Sequence, residues 1–174
     1  REIAHQISSS KCEIIIVHHT LFSVLKKAIE IDGKQVETIT IGPNNSDFDA
    51  FWNLALNNKP LTDVDIEPIN DLAAMPYSSG TTGLSKGVML THFNLVSNVQ
   101  QLLGLSGICK MKENDMVLVH LPLFHIYGMN ILMNGCIATG ATQVMMGRFD
   151  MGEFLDLIEK YRVTKLFTVP PIGL

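Results

Sequence analysis

The chain has 174 residues, 47% of them hydrophobic and 17% charged, and a formal net charge of −4. That length can bury one sizeable core, and the acidic balance, with no basic cluster, argues against a nucleic-acid surface. Cys12, Cys109 and Cys136 stand far apart without CxxC or Cys/His ligand spacing. This speaks against a disulfide framework or a zinc site and for a reducing compartment.

Taken in order, Glu13-Ile14-Ile15-Ile16-Val17 is a β-branched run suited to a buried strand. Thr20 to Ile29 carries Leu21, Val24, Leu25 and Ala28 on one face and Lys26 and Lys27 opposite, which predicts an amphipathic helix. Val36 to Ile41 is a strand closed by Gly42-Pro43. Phe48 to Leu56 is a helix with Phe48, Trp52 and Ala55 inward. The polar stretch from Asn57 to Asn70, with Pro60 and Pro68, is an exposed connection. It is a candidate subdomain border, but one compact piece is the expectation.

Next come Leu72-Ala73-Ala74-Met75 and Val88-Met89-Leu90, two apolar runs bracketing Tyr77-Ser78-Ser79-Gly80-Thr81-Thr82-Gly83-Leu84-Ser85-Lys86-Gly87. The pattern is strand, loop, strand. Glycines let the backbone turn tightly and approach a ligand closely. Successive N–H groups in such a loop make a concave anion site. Hydroxyls add donors, and Lys86 adds a charge on a flexible stem. Together these describe a phosphate cradle; the bland alternative is a Gly/Ser-rich surface turn. The common P-loop needs Gly before Lys and Ser or Thr after it, and here Ser85 precedes Lys86 and Gly87 follows.

Thr91 is a candidate N-cap for a helix from His92 to about Leu103, with Leu95, Val96, Val99, Leu102 and Leu103 as its apolar stripe. Met116 to Val119 is a buried strand, and Phe124 to about Ile137 is helical, with Gly128 inside it. Thr142 to Met146 is a strand. Asp150 and Glu153 have capping-box spacing before a helix lined by Met151, Phe154, Leu155, Ile158 and Tyr161. Val163 to Val169 is a last strand. Met116 to Gly147 has no formally charged residue, yet Pro122 and several Gly and Asn residues interrupt it, so no membrane span of ~20 apolar residues exists. It is core of an α/β sheet. Strands alternating with helices predict an α/β fold with a mainly parallel sheet and flanking helices.

Leu121-Pro122-Leu123-Phe124-His125-Ile126-Tyr127-Gly128-Met129-Asn130 sits at a strand-to-helix junction, where open α/β sheets bind ligands. His125 and Tyr127 offer flat rings to wall a pocket, and Gly128 leaves room beside them; the alternative is a His and a Tyr that only satisfy core hydrogen bonds. Arg148, between a strand and a helix, reads by itself as a solvated boundary residue. His5, His18, His19, His92 and His120 have no metal-like partners.

The stretch Tyr77 to Val88 closely resembles the phosphate signature of the adenylate-forming enzymes, which include acyl-CoA synthetases, 4-coumarate–CoA ligases and beetle luciferases. Ser85 stands where that family usually has Pro. The resemblance is strongest from about Leu72 onward and includes Val169-Pro170-Pro171. It implies that residues 1–174 are part of the large N-terminal domain of an acyl-adenylate-forming enzyme, an AMP-binding domain. The mobile C-terminal domain, with its catalytic lysine, is absent from this chain, and Lys86 is not that lysine. The implied reaction is ATP-dependent activation of a carboxylic acid to an acyl-adenylate, then to its coenzyme A thioester, with ATP, Mg2+ and coenzyme A required. Ser78, Ser79, Gly80, Thr81, Thr82, Gly83 and Lys86 would hold phosphate. His125, Tyr127 and Gly128 would line the acid pocket, Arg148 would meet coenzyme A, and no metal ligand is expected in the chain. Luciferase-type oxidation, a non-catalytic nucleotide-binding piece, or an ATPase of another fold are the alternatives.

Arg1 to His5 lack the layout of a signal peptide. The first residue is not Met, and the chain stops just past a predicted strand. The expectation is therefore an internal piece of a cytoplasmic protein, with the peroxisome as the alternative compartment.

Overall fold

The structure, a computed structural model, describes residues 1–42, 50–57, 64–78, 83–107 and 110–173. The elements in chain order begin with α1 (Glu2–Ser10), β1 (Ile14–His18), α2 (Phe22–Asp32), β2 (Glu37–Ile41) and α3 (Ala50–Asn57). Then come β3 (Leu72–Ala74), β4 (Tyr77–Ser78), β5 (Lys86–Gly87), β6 (Leu90–Thr91) and α4 (His92–Leu103). Next are β7 (Met116–Val119), a π-helix (Tyr127–Asn134), α5 (Gly135–Thr139), β8 (Thr142–Met145), α6 (Met151–Tyr161) and α7 (Pro170–Gly173). The longer ladders, β1–β2 and β7–β8, are parallel. The short pairs β3–β6 and β4–β5 are antiparallel. No helix among the described residues is long and apolar enough to cross a membrane.

The chain divides into two compact units rather than the single piece expected. Unit 1 is Arg1–Ile66 with Tyr77–Gly87, and unit 2 is Glu67–Pro76 with Val88–Leu174. The first border, at Ile66, falls inside the connection from Asn57 to Asn70. The reason for two units is that the apolar residues collect in separate cores.

Unit 1 packs Ala4 and Ile7 of α1 against Leu25 and Ala28 of α2, with Ile15 and Val17 of β1 beneath them. Helix α1 was not anticipated from the sequence, although Ile3, Ala4 and Ile7 have helical spacing. Alternation along β1 sends Ile14 and Ile16 to the other face, where they stay 53% and 54% exposed. β1 is thus a half-buried strand, not the fully buried one its composition suggested. Likewise, only Leu25 and Ala28 of the predicted α2 face are buried, while Leu21 and Val24 are exposed. The predicted Phe48 lies outside the described residues, and Trp52 is exposed.

Unit 2 has three layers. Val117 and Val119 of β7 point into a core shared with Leu102 of α4, Leu132 of the π-helix and Cys136 of α5. Leu118 points the other way, onto Val144, Met146 and Phe154 of α6. All three β7 side chains are essentially inaccessible. Each such burial contributes about 1.5–3 kcal/mol, which is why the strand is a continuous apolar run. The charge-free stretch supplies most of this core. Burial and the nearby Asp115 carboxylate push the Cys136 thiol up to about 11, so it is an inert packing group.

The helix caps follow the sequence. Thr91 Oγ1 accepts from Asn94 N at 3.3 Å, and Asn94 Oδ1 accepts from Thr91 N at 3.0 Å, a reciprocal capping box. Asp150 Oδ1 accepts from Glu153 N at 3.0 Å and starts α6. Residues 163–169, expected as a strand, pair with β7 only at Lys165 opposite Val117. Beyond that point the segment is held by a side chain. His120 Nδ1–H donates to Leu118 O at 3.3 Å, and Nε2 accepts from the Thr168 hydroxyl at 3.2 Å.

His120 is buried, its ring edge-on to Phe154. Desolvation holds its pKa below the usual histidine range, against the smaller opposing effect of the Leu118 carbonyl. The neutral ring is therefore the native form. Because the folded pKa is depressed, stability is full above the unfolded value of about 6.5 and falls as pH drops through it toward the folded value. Urea unfolding of the full-length protein at pH 8 and pH 5 checks this. His120→Asn, which keeps one N–H donor and does not titrate, should reduce the pH dependence. An undiminished dependence would assign it to other groups.

Candidate functional site

Within unit 1, β4 and β5 form the stem of the glycine-rich loop. Tyr77 pairs with Gly87 and Ser78 with Lys86. Directly opposed residues of an antiparallel pair project to the same face. Ser78 and Lys86, both exposed, therefore stand side by side at the mouth of the loop. Gly83 has φ +140°, a region closed to other residues, so the loop needs glycine there. Ser79, Gly80, Thr81 and Thr82 lie outside the described residues. A hydroxyl, a flexible cation and a turn open to backbone approach suit a polyphosphate chemically.

Within unit 2, the chain leaves β7 at His120 and enters the π-helix through Leu121–Ile126. The predicted helix from Phe124 to Ile137 is a wider, i→i+5 bonded π-helix over Tyr127–Asn134 before it becomes α-helical. Wide turns of this kind occur often at functional sites. His125 is exposed, and its Nδ1 accepts from Tyr127 N at 3.2 Å. The neutral ring thus carries its proton on Nε2. Tyr127 is half-buried. Gly128 is buried, and the room it leaves is taken by backbone: a Cβ there would sit 2.2 Å from Pro122 O. Its local role is to let the helix pack directly on the Leu121–Pro122 turn. Arg148 is exposed in the turn after β8.

The sequence reading placed Asn130 at this junction but gave it no role. Its side chain is 1% exposed and fully engaged. Nδ2 donates to Asn98 Oδ1 at 2.8 Å and to Leu95 O at 3.3 Å, both on α4, and Oδ1 accepts from Asn134 Nδ2 at 2.9 Å. This network fastens the π-helix to α4. The available signal was an amide in a charge-free apolar run, since a buried polar group needs partners. An open apolar cavity of about 320 Å³ lies between α4 and the end of the π-helix, beside Val96, Asn134 and Ile137. Leu95, Val96 and Val99 of the predicted apolar stripe line it, and none of the site residues expected from the sequence does.

The family model for AMP-binding enzymes matches residues 1–173. The chain belongs to the AMP-binding enzyme family. It is 39% identical over 177 aligned residues to 4-coumarate–CoA ligase 3 of Arabidopsis thaliana, covering 99% of this chain and 31% of that protein. It is also 39% identical over 179 residues to 4-coumarate–CoA ligase CCL1 of Humulus lupulus, covering 99% and 32%. Among solved structures, a long-chain-fatty-acid–CoA ligase from Archaeoglobus fulgidus superposes with a TM-score of 0.82 at 31% identity, over 98% of this chain and 33% of that one. ATP-bound MatB from Rhodopseudomonas palustris gives 0.79 at 28% identity, over 98% and 32%. The chain spans about a third of the length of the curated relatives it matches. The AMP-binding family fold agrees with the α/β class read from the sequence.

Gly128 generates a test. Gly128→Ala should force the Pro122 carbonyl aside and lower stability by about 1–3 kcal/mol, the usual cost of overpacking. A urea denaturation midpoint equal to wild type would show that the turn yields freely.

Proposed function

We propose that in the full-length protein this chain contributes the phosphate cradle and part of the acid pocket of an acid–CoA ligase. The observation that carries the reading is Ser78 opposite Lys86 at the mouth of a loop rich in glycine and hydroxyls. Membership of the AMP-binding family and the similarity to 4-coumarate–CoA ligases support the reaction type. In the first step a carboxylate oxygen attacks the α-phosphorus of Mg–ATP, and the bond to pyrophosphate breaks. In the second, the thiol of coenzyme A attacks the acyl carbon, and AMP leaves. Magnesium enters with the nucleotide; among the described residues no three His, Cys, Asp or Glu side chains converge.

The cradle acts by position and charge. Lys86 balances phosphate charge, and Ser78, with Ser79, Thr81 and Thr82, would donate hydrogen bonds; Gly80 and Gly83 admit the nucleotide to the backbone. Such preorganised donors account for much of phosphoryl-transfer catalysis. His125 and Tyr127 are assigned to the wall of the acid pocket, and Gly128 acts on that wall through the backbone it packs against. Arg148 is assigned to a phosphate of coenzyme A.

The reading is tested by incubating the full-length protein with ATP and a panel of carboxylic acids. Acid-dependent pyrophosphate and AMP, then a thioester on addition of coenzyme A, is the expected result; release of inorganic phosphate would point to an ATPase instead. Lys86→Ala should slow single-turnover pyrophosphate release by about thirty-fold, from about 2 kcal/mol of lost charge-assisted bonding. An unchanged rate removes the lysine from the cradle. Arg148→Ala should raise the coenzyme A requirement of the thioester step and spare adenylation. Superimposable coenzyme A titrations would return Arg148 to the solvated surface.

A further inference from the structure

The loop stem in unit 1 is held at two places by helix α1. His5 Nε2–H donates to the backbone carbonyl of Ser85 at 3.0 Å. On the opposite stem, Tyr77 OH donates to Gln6 O at 3.2 Å and meets Ser9 Oγ at 2.5 Å. His5 and Ser9 are one helical turn apart and share a face. One helix face therefore touches the residue before Ser78 and the residue before Lys86. Both anchors are partly shielded: His5, Tyr77 and Ser85 are all half-buried.

We propose that His5 is a positioning residue for the phosphate loop, fixing from helix α1 the peptide unit that launches Lys86. The proposal rests on the ligase reading above and adds to it a residue far outside the loop. Its physical basis is the planar peptide. Holding Ser85 C=O also fixes the plane of the Lys86 N–H, which must point to the opposite side. The direction in which Lys86 leaves the backbone is set with it. A loop rich in glycine and small hydroxylated residues loses much freedom when it closes on a ligand. Anchored stems lower that cost before the nucleotide arrives, as preorganisation does in general.

Ser85 makes the anchor more important. Proline, which the related signature usually has here, would fix φ covalently. Serine does not, and its own hydroxyl is buried with no hydrogen-bond partner among the described residues. The carbonyl bonded by His5 is where this residue is secured.

The test uses the full-length protein with His5→Leu, which removes the donor, and His5→Gln, which retains one. Pyrophosphate release is titrated with ATP, and thioester formation with coenzyme A. His5→Leu should raise KM for ATP about five-fold, the weight of one ordinary hydrogen bond, and leave KM for coenzyme A unchanged. His5→Gln should recover most of the loss. Hydrogen exchange over residues 77–88 without nucleotide should be faster in His5→Leu and near wild type in His5→Gln. A wild-type KM for ATP in His5→Leu overturns the proposal while leaving the ligase reading intact. So does an equal rise for ATP and coenzyme A, which marks general loss of fold. Unchanged exchange over 77–88 overturns the anchor itself. A wild-type protein that releases no pyrophosphate with any acid defeats the ligase reading instead, and with it the nucleotide role of His5.

Discussion

Burial of β7 on both faces is the constraint on which unit 2 depends. Val117 and Val119 anchor α4, the π-helix and α5 on one side; Leu118 anchors α6 on the other. Four consecutive backbone groups then need partners inside the core. β8 supplies a parallel ladder, and Lys165 supplies one bridge on the other edge. An unpaired group there would cost about 1–3 kcal/mol. The direction of β7 in turn fixes where the chain emerges at His120, and hence where Leu121–Gly128 begins. The placement of Leu121–Gly128 is thus a consequence of the sheet, not an independent feature.

The π-helix shows how packing decides local geometry. Gly128 lets the first turn lie on the Pro122 carbonyl, and Asn130 ties the same turn to α4. Both contacts come from outside the helix. Hydrogen-bond pitch is cheap to alter when a close contact and a buried amide are satisfied by altering it. His125 and Tyr127 lie at the start of this widened segment. Their relation, Tyr127 N to His125 Nδ1, is one that neighbouring turn geometry imposes.

In unit 1 the important contacts are polar and long in sequence. The glycine-rich loop has few apolar side chains to place it. Its stem is held by a two-residue ladder and by bonds to α1. Such bonds contribute only modestly to stability, about 1 kcal/mol each. They are well suited to fixing the direction of a side chain without making the loop rigid throughout.

The sequence by itself determined the elements whose signal is local. The helix from His92 to about Leu103 was legible because Thr91 caps it locally and its apolar stripe lies within it. β7 was legible because a strand buried on both faces has nothing but apolar residues, and α6 because Asp150 marks its start. The glycine- and hydroxyl-rich stretch was legible because its composition is written in consecutive residues. The tertiary structure alone decided what depends on distant partners. Which face of β1 is covered follows from α1 and α2. Whether 163–169 makes a ladder depends on how many β7 groups remain to be bonded. Asn130 and His120 draw their meaning from partners on other elements, and His5 meets Ser85 across 80 positions of chain. No periodicity encodes such a pair: a single hydrogen bond between one side chain and one carbonyl leaves no pattern in the sequence, and only the folded backbone brings the two atoms together.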